Sequence, residues 1–128
     1  IISFIMDKNP DVIVIDAPLT CPKKGNFRKC DLLMRKEVPV LPLTFKGMKM
    51  LIQRAEKLKR KLEKFEVIET YPRISKKYVK EKFEHLTKDE FDAYICAKVG
   101  IAYLEGRARA FEGEGKIYAL NYIKDRDF

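Results

Sequence analysis

Apolar positions along the chain change their period several times, and each change marks an expected element. Val12-Ile13-Val14-Ile15 is an unbroken run of four β-branched residues. A run of that kind reads as a strand buried on both faces, as in the middle of an α/β sheet. It stops on a carboxylate, Asp16, and Ala17-Pro18 ends it, because proline cannot donate to a ladder. Upstream, Ile1, Ile2, Ile5 and Met6 fall on one side of a helix that ends near Lys8, with Asn9-Pro10-Asp11 as the breaker. Downstream, Met48, Leu51, Ile52, Ala55, Leu58 and Leu62 recur at helical spacing and predict an amphipathic helix over 45–64. Phe65 to Thr70 predicts a second strand, with Glu69 near its end, just before Tyr71-Pro72. Thr87-Lys88-Asp89-Glu90 is a capping box. It opens a helix running to about Leu104, with Phe91, Ile95, Val99 and Ala102 inward and Gly106 as terminator. Gly113 and Gly115 mark a turn before a short last strand over 116–122.

Between the first strand and the amphipathic helix, residues 17–44 carry Pro18, Pro22, Pro39 and Pro42, with a helical turn expected only at Asp31–Met34. Connections longer than about 12–15 residues are usually functional or disordered. This one holds Arg28, Lys29, Asp31 and Arg35, polar groups able to face a site.

At 128 residues and 46% hydrophobic, the chain has material for one ordered domain with a real core. No apolar run approaches the roughly 20 residues of a membrane-spanning helix, so no membrane partner is expected. Cys21, Cys30 and Cys96 show no metal-ligand spacing, and His85 is the sole histidine. A zinc site and a nucleophilic triad are both poorly served, and a reducing, cytoplasmic compartment is the expectation. Abundant lysine and glutamate beside a single glutamine, Gln53, fit a thermophile. The apolar start at Ile1 has neither a basic leader nor an initiator methionine, so it reads as a fragment's start rather than a signal peptide.

The chain carries a net charge of +8, unevenly distributed. Lys46 to Lys64 holds eight basic and two acidic residues, Lys57 and Lys61 among them, and Arg73 to Lys82 holds five basic and one acidic. Such clustering suits a polyanion such as nucleic acid, and it equally suits a solvated helix face. The acids pose the same choice. Asp16 either caps a turn or serves a site beyond the carboxyl end of a strand, where ligands of open α/β sheets bind. Asp89 is explained by the helix dipole. Asp92, past the first turn and on the face of Ile95, Cys96 and Val99, needs a basic partner or a cation. Two strands each deliver an acid and then meet a proline, which sets Asp16 and Glu69 side by side if the strands are neighbours.

IDAPL at 15–19, FRKCDLLMR at 27–35, ETYPR at 69–73 and DEFDAYICA at 89–97, taken together and in this order, resemble domain-of-unknown-function family 429, predicted nucleases of ribonuclease-H-like fold. The resemblance implies an α/β domain, a mixed sheet flanked by helices. Asp16, Glu69 and Asp92 match its acidic positions and would hold Mg²⁺ or Mn²⁺ as catalytic ligands. Arg28, Asp31 and Arg73 match its polar, substrate-binding positions. Members of this fold begin with a three-stranded meander whose first strand supplies an acid. Residues 1–128 would then be a single domain lacking its first strands, with an unpaired edge on the strand at 12–15 that upstream residues or a second copy in a homo-oligomer would cover.

The expected function is metal-dependent hydrolysis of nucleic-acid phosphodiesters. Clustered carboxylates are costly without cations, and paired divalent ions activate water and stabilise a leaving oxygen. The three carboxylates are expected within roughly 10 Å of one another, loose enough for two ions about 3.5–4 Å apart. The rivals are a non-catalytic module on the same fold that binds nucleic acid or protein, and a hydrolase of small phosphate esters.

Overall fold

The structure is a computed structural model and describes residues 1–121, the side chain of Lys46 excepted. It is an α/β fold with a four-stranded mixed sheet. Helix α1 (Ile2–Lys8) leads into β1 (Ile13–Ile15); α2 (Lys29–Arg35) and α3 (Lys46–Lys61) precede β2 (Val67–Thr70). Then come α4 (Pro72–Ser75), a 3₁₀ turn (Lys76–Tyr78), α5 (Lys88–Leu104), β3 (Arg109–Glu112) and β4 (Lys116–Ala119). The sheet order is β1-β2-β4-β3, with β1, β2 and β4 parallel and β3 antiparallel to β4.

Period-two alternation along β4 divides the core between the two sheet faces. Ile117 and Ala119 pack with Cys30 and Met34 of α2, Ile74 of α4 and Phe111 of β3. Leu120 and half-buried Tyr118 pack with Ile95, Val99 and Ala102 of α5, and Val14 of β1 joins that second cluster. Register carries the division across the sheet, because paired residues project to the same side. Ile15 pairs with Glu69, and Glu69 with Ile117, so all three face α2. Gly100 lets α5 lie directly on β1: a Cβ there would sit 3.0 Å from a Val14 methyl and 3.4 Å from one of Val12.

The periodic segments form as their patterns predict. Thr87 caps α5, its hydroxyl accepting from the Glu90 N–H while the Glu90 carboxylate accepts from the Thr87 N–H. On α3, Ile52, Ala55 and Leu62 are buried, and Leu51 lies at the exposed rim of the stripe. Three differences stand out. First, β1 lies at the end of the sheet, not its middle, and its three residues are only half-buried. Among the described residues its outer edge pairs with no strand. Second, α4 begins on Pro72, whose fixed φ suits a first helical position. Third, β3 was not expected, since Arg107-Ala108-Arg109-Ala110 offers only small apolar residues at alternate positions and alanine is a poor strand former. Arg109 compensates by gripping the Glu37 carboxylate through both terminal nitrogens, at 3.1 and 2.9 Å, with its guanidinium over the Phe111 ring. Of the last expected strand, residue 122 lies outside the described residues. No helix among the described residues is long and apolar enough to cross a membrane.

Candidate functional site

Asp16 is the first residue beyond β1, in the bend that Ala17-Pro18 imposes. Asp92 stands at the fifth position of α5, where docking of Ile95 and Val99 on the sheet turns it toward the end of β1. The two acids line one cleft of about 660 Å³, together with Arg73, Lys76 and Lys88 and a wall that includes Leu41 and Tyr71. Both also stand at one end of a groove of about 790 Å³ that follows β1 and α5 past Val12, Val14, Ile101 and Leu104. Asp16 as a residue is exposed, but the protein packed round its carboxyl, and next the charge of Asp92, push its pKa up to about 6, while Lys88 pulls against them. Asp92 has the basic partner its position called for: Lys76 Nζ lies 3.8 Å from Asp92 Oδ1 and over the Phe91 ring.

Glu69 lines a small cavity with Asp16 and Asp31, and its charge adds to the rise at Asp16, but its own carboxylate is held by arginine. It faces α2 and receives two bonds from Arg28, Nη1 to Oε1 at 2.9 Å and Nη2 to Oε2 at 2.6 Å. Arg28 also donates from Nε and Nη2 to the two oxygens of Asp31, each at 2.9 Å, and from Nη1 to the Thr20 hydroxyl at 2.9 Å. All five guanidinium N–H donors are therefore placed. Arg28 is 0% exposed, Asp31 2% and Glu69 5%. The Leu19 N–H donates to Glu69 Oε1 at 2.8 Å, so the cluster also pins the segment that follows Asp16. Burial pushes the Glu69 carboxyl above its ordinary range, and Arg28 opposes that push.

Asp16 thus stands between two sets of sequence-predicted residues, sharing one cleft with Asp92 and a small cavity with Glu69 and Asp31. Asp16 and Asp92 come together. Glu69 joins Arg28 and Asp31 in a buried ion cluster, and Arg28, expected to face substrate, is enclosed by protein. Arg73 lies on the cleft. Lys57 and Lys61 are exposed on α3, where Lys57 lines a shallow surface groove with Arg54 and Arg60. Sequence reasoning passed over Lys76 and Lys88. Lys76 was one of several cations in a basic run, and the capping box had already accounted for the residues around Lys88. Burial, chiefly, pushes the Cys30 and Cys96 thiols up to about 12.

Packing beside the ion cluster is tight. A Cβ at Gly115 would lie 2.5 Å from the Thr20 hydroxyl and 2.9 Å from Arg28 Nη1. Gly115→Ala is therefore expected to destabilise the fold by about 2 kcal/mol, the cost of overpacking beside groups that cannot move without breaking bonds. Urea unfolding reads it, and a midpoint equal to the parent's would show that Arg28 is free to shift.

No protein-family pattern, curated protein or solved structure matches this chain. The residues themselves decide what the site can hold. Among the described residues no group of three or more His, Cys, Asp or Glu side chains is arranged to bind a metal. Asp16 and Asp92 are a pair of hard oxygen donors. That set fits one Mg²⁺, which keeps several waters and is commonly held by one or two carboxylates plus a substrate phosphate. Mn²⁺ takes the same ligands. A second ion would have to share Glu69, whose carboxylate already accepts N–H bonds from Arg28 and Leu19.

Proposed function

We propose that this chain is a metal-dependent nuclease of ribonuclease-H-like fold, with Asp16 and Asp92 as its catalytic carboxylates. The observation that carries the reading is the Asp16–Asp92 pair at the carboxyl end of β1, in a cleft whose other charged groups are cations. Like charges held together raise one another's proton affinity, and a bound cation removes that cost. A divalent ion held by Asp16 and Asp92 would supply Lewis acidity toward water and the scissile phosphate. The chain's own groups do the rest. Lys76 holds Asp92 in place, Lys88 favours the ionised form of Asp16, and the buried ion cluster fixes the segment that leads out of Asp16. The parallel β1–β2 pair, with one acid at a strand end and another on the helix packed across it, supports the ribonuclease-H-like reading.

The test is a cleavage assay on single- and double-stranded DNA and RNA with Mg²⁺, Mn²⁺ or EDTA. Cleavage that EDTA abolishes supports the reading. Hydrolysis of a small phosphate ester with every nucleic acid left intact moves the assignment to the smaller substrate, and no hydrolysis with either ion removes the enzyme.

The basic face of α3 favours a second reading, a module that binds nucleic acid without cutting it. The double variant Lys57→Gln/Lys61→Gln is expected to weaken nucleic-acid binding and to lower the slope of log K against log salt by about 1–2, as for the loss of one or two phosphate contacts. A nuclease keeps its cleavage rate at saturation in this variant. A salt titration with an unchanged slope takes α3 out of the interface.

A further inference from the structure

We propose that the cleft formed by the end of β1, α4 and the start of α5 is a phosphodiester-binding site that works without metal, with Arg73 and Lys88 holding the phosphate and Tyr71 and Leu41 walling the adjoining base. The inference deepens the nuclease reading and rests on it for the site's identity.

The cations that line the cleft are not equivalent. Lys76 is committed to Asp92 and Phe91. Arg73 and Lys88 make no side-chain hydrogen bond or ion pair with another described residue. Lys88 nevertheless lies close enough to Asp16 to pull its proton affinity down, so its charge is felt inside the cleft. The lining itself carries three positive and two negative groups, with the charges of Asp89 and Glu69 reaching Asp16 from outside it.

A guanidinium and an ammonium available side by side suit phosphate, which the planar fork of arginine matches in shape and lysine serves as a point charge. The carboxylates refine the choice. A second negative charge on the ligand would meet Asp16 and Asp92 with little cationic excess left to offset it, whereas a phosphodiester carries one. The wall is apolar and fixed. The Tyr71 hydroxyl donates to the Pro39 carbonyl at 3.2 Å, which holds the ring, and Leu41 is 56% exposed beside it. A ring face and an exposed leucine next to a phosphate site suit an unpaired base, which stacks whatever its identity. The cleft's size falls in the range of small-ligand sites.

The experiment is a binding titration in EDTA with the dinucleotide thymidylyl-thymidine and, separately, inorganic phosphate, followed by amide NMR shifts. The parent is expected to bind the dinucleotide with shifts confined to the cleft, and inorganic phosphate at least ten-fold more weakly. Arg73→Gln/Lys88→Gln is expected to lose at least ten-fold in dinucleotide affinity with its Tm unchanged, since both side chains are exposed. Asp16→Asn is expected to bind the dinucleotide about three-fold tighter, because a repelling charge is gone. A double variant within two-fold of the parent, or a parent that binds no dinucleotide at millimolar concentration, overturns the proposal. Inorganic phosphate binding as tightly as the dinucleotide overturns the diester assignment. A parent that binds as expected yet cuts nothing defeats the nuclease reading and leaves the binding site standing.

Discussion

Asp16→Asn is expected to lower cleavage by at least 100-fold and to weaken divalent-ion binding, while leaving the fold intact. Asparagine keeps the shape of the side chain and removes one of the two charges that would attract the ion. The same substitution is expected to stabilise the metal-free protein at neutral pH. The Asp16 pKa is raised in the folded state to about 6 from an ordinary value of 3.8. Between these values the folded protein holds a proton that the unfolded chain has released, so this group's contribution to stability falls as pH rises from about 4 to about 6 and stays lower above that. The penalty at pH 7 is about 1 kcal/mol, well short of the full shift, because Asp16 faces solvent and is screened. Thermal unfolding in EDTA between pH 4 and pH 8 should show the parent losing stability across that window relative to the variant. A variant that cleaves as well as the parent would end the metal-nuclease reading.

Arg28→Met should be the most destructive single change. It leaves Asp31 and Glu69, 2% and 5% exposed, with no counter-charge, and strips the Thr20 hydroxyl of its donor. Breaking a buried ion pair from one side typically costs 3–5 kcal/mol, about 4 here, against a total stability of about 5–15 kcal/mol for a domain. Adding Asp31→Asn and Glu69→Gln to the same chain should recover much of that loss, since the stranded charges are then gone. Urea unfolding of the three chains measures both effects. An Arg28→Met protein within 1 kcal/mol of the parent would mean that the cluster is dispensable. Glu69 alone separates the two groups of acids. Glu69→Gln is expected to destabilise the metal-free protein although burial raises the Glu69 pKa, because its amide nitrogen would face an Arg28 N–H that now has an acceptor, whereas Asp16→Asn is expected to stabilise it.

What the sequence carried well was local. The 3.6-residue stripes of α3 and α5, the capping box at Thr87 and the prolines at strand ends are written in neighbouring residues, and each produces its element. The carboxylate at the end of β1 was legible for the same reason, as was the need of Asp92 for a cationic partner. What stayed hidden depends on partners distant in the chain. Glu69 meets Arg28 across 41 positions, and nothing in ETYPR distinguishes an acid that binds a cation from one enclosed by an arginine. The open edge of β1 was expected only through the family resemblance, because four β-branched residues predict burial of side chains and say nothing about backbone pairing. β3 was missed for a different reason: it is held by antiparallel pairing with β4 and by Arg109 reaching Glu37, and alanines between arginines leave little apolar rhythm to read.

The register of the sheet also sets an order of assembly. β3 and β4 are joined through Gly113, Glu114 and Gly115, a closure that costs a chain little entropy, and their hairpin can form early. Ile13 pairs with Val67 only after all of α2 and α3 has been looped out, and α5 must then settle on Val14 through Gly100. Contacts of long sequence separation are the slow ones. Asp16 and Asp92 are therefore expected to meet late in folding, after most of the apolar contacts around them, and their repulsion should speed unfolding more than it slows folding.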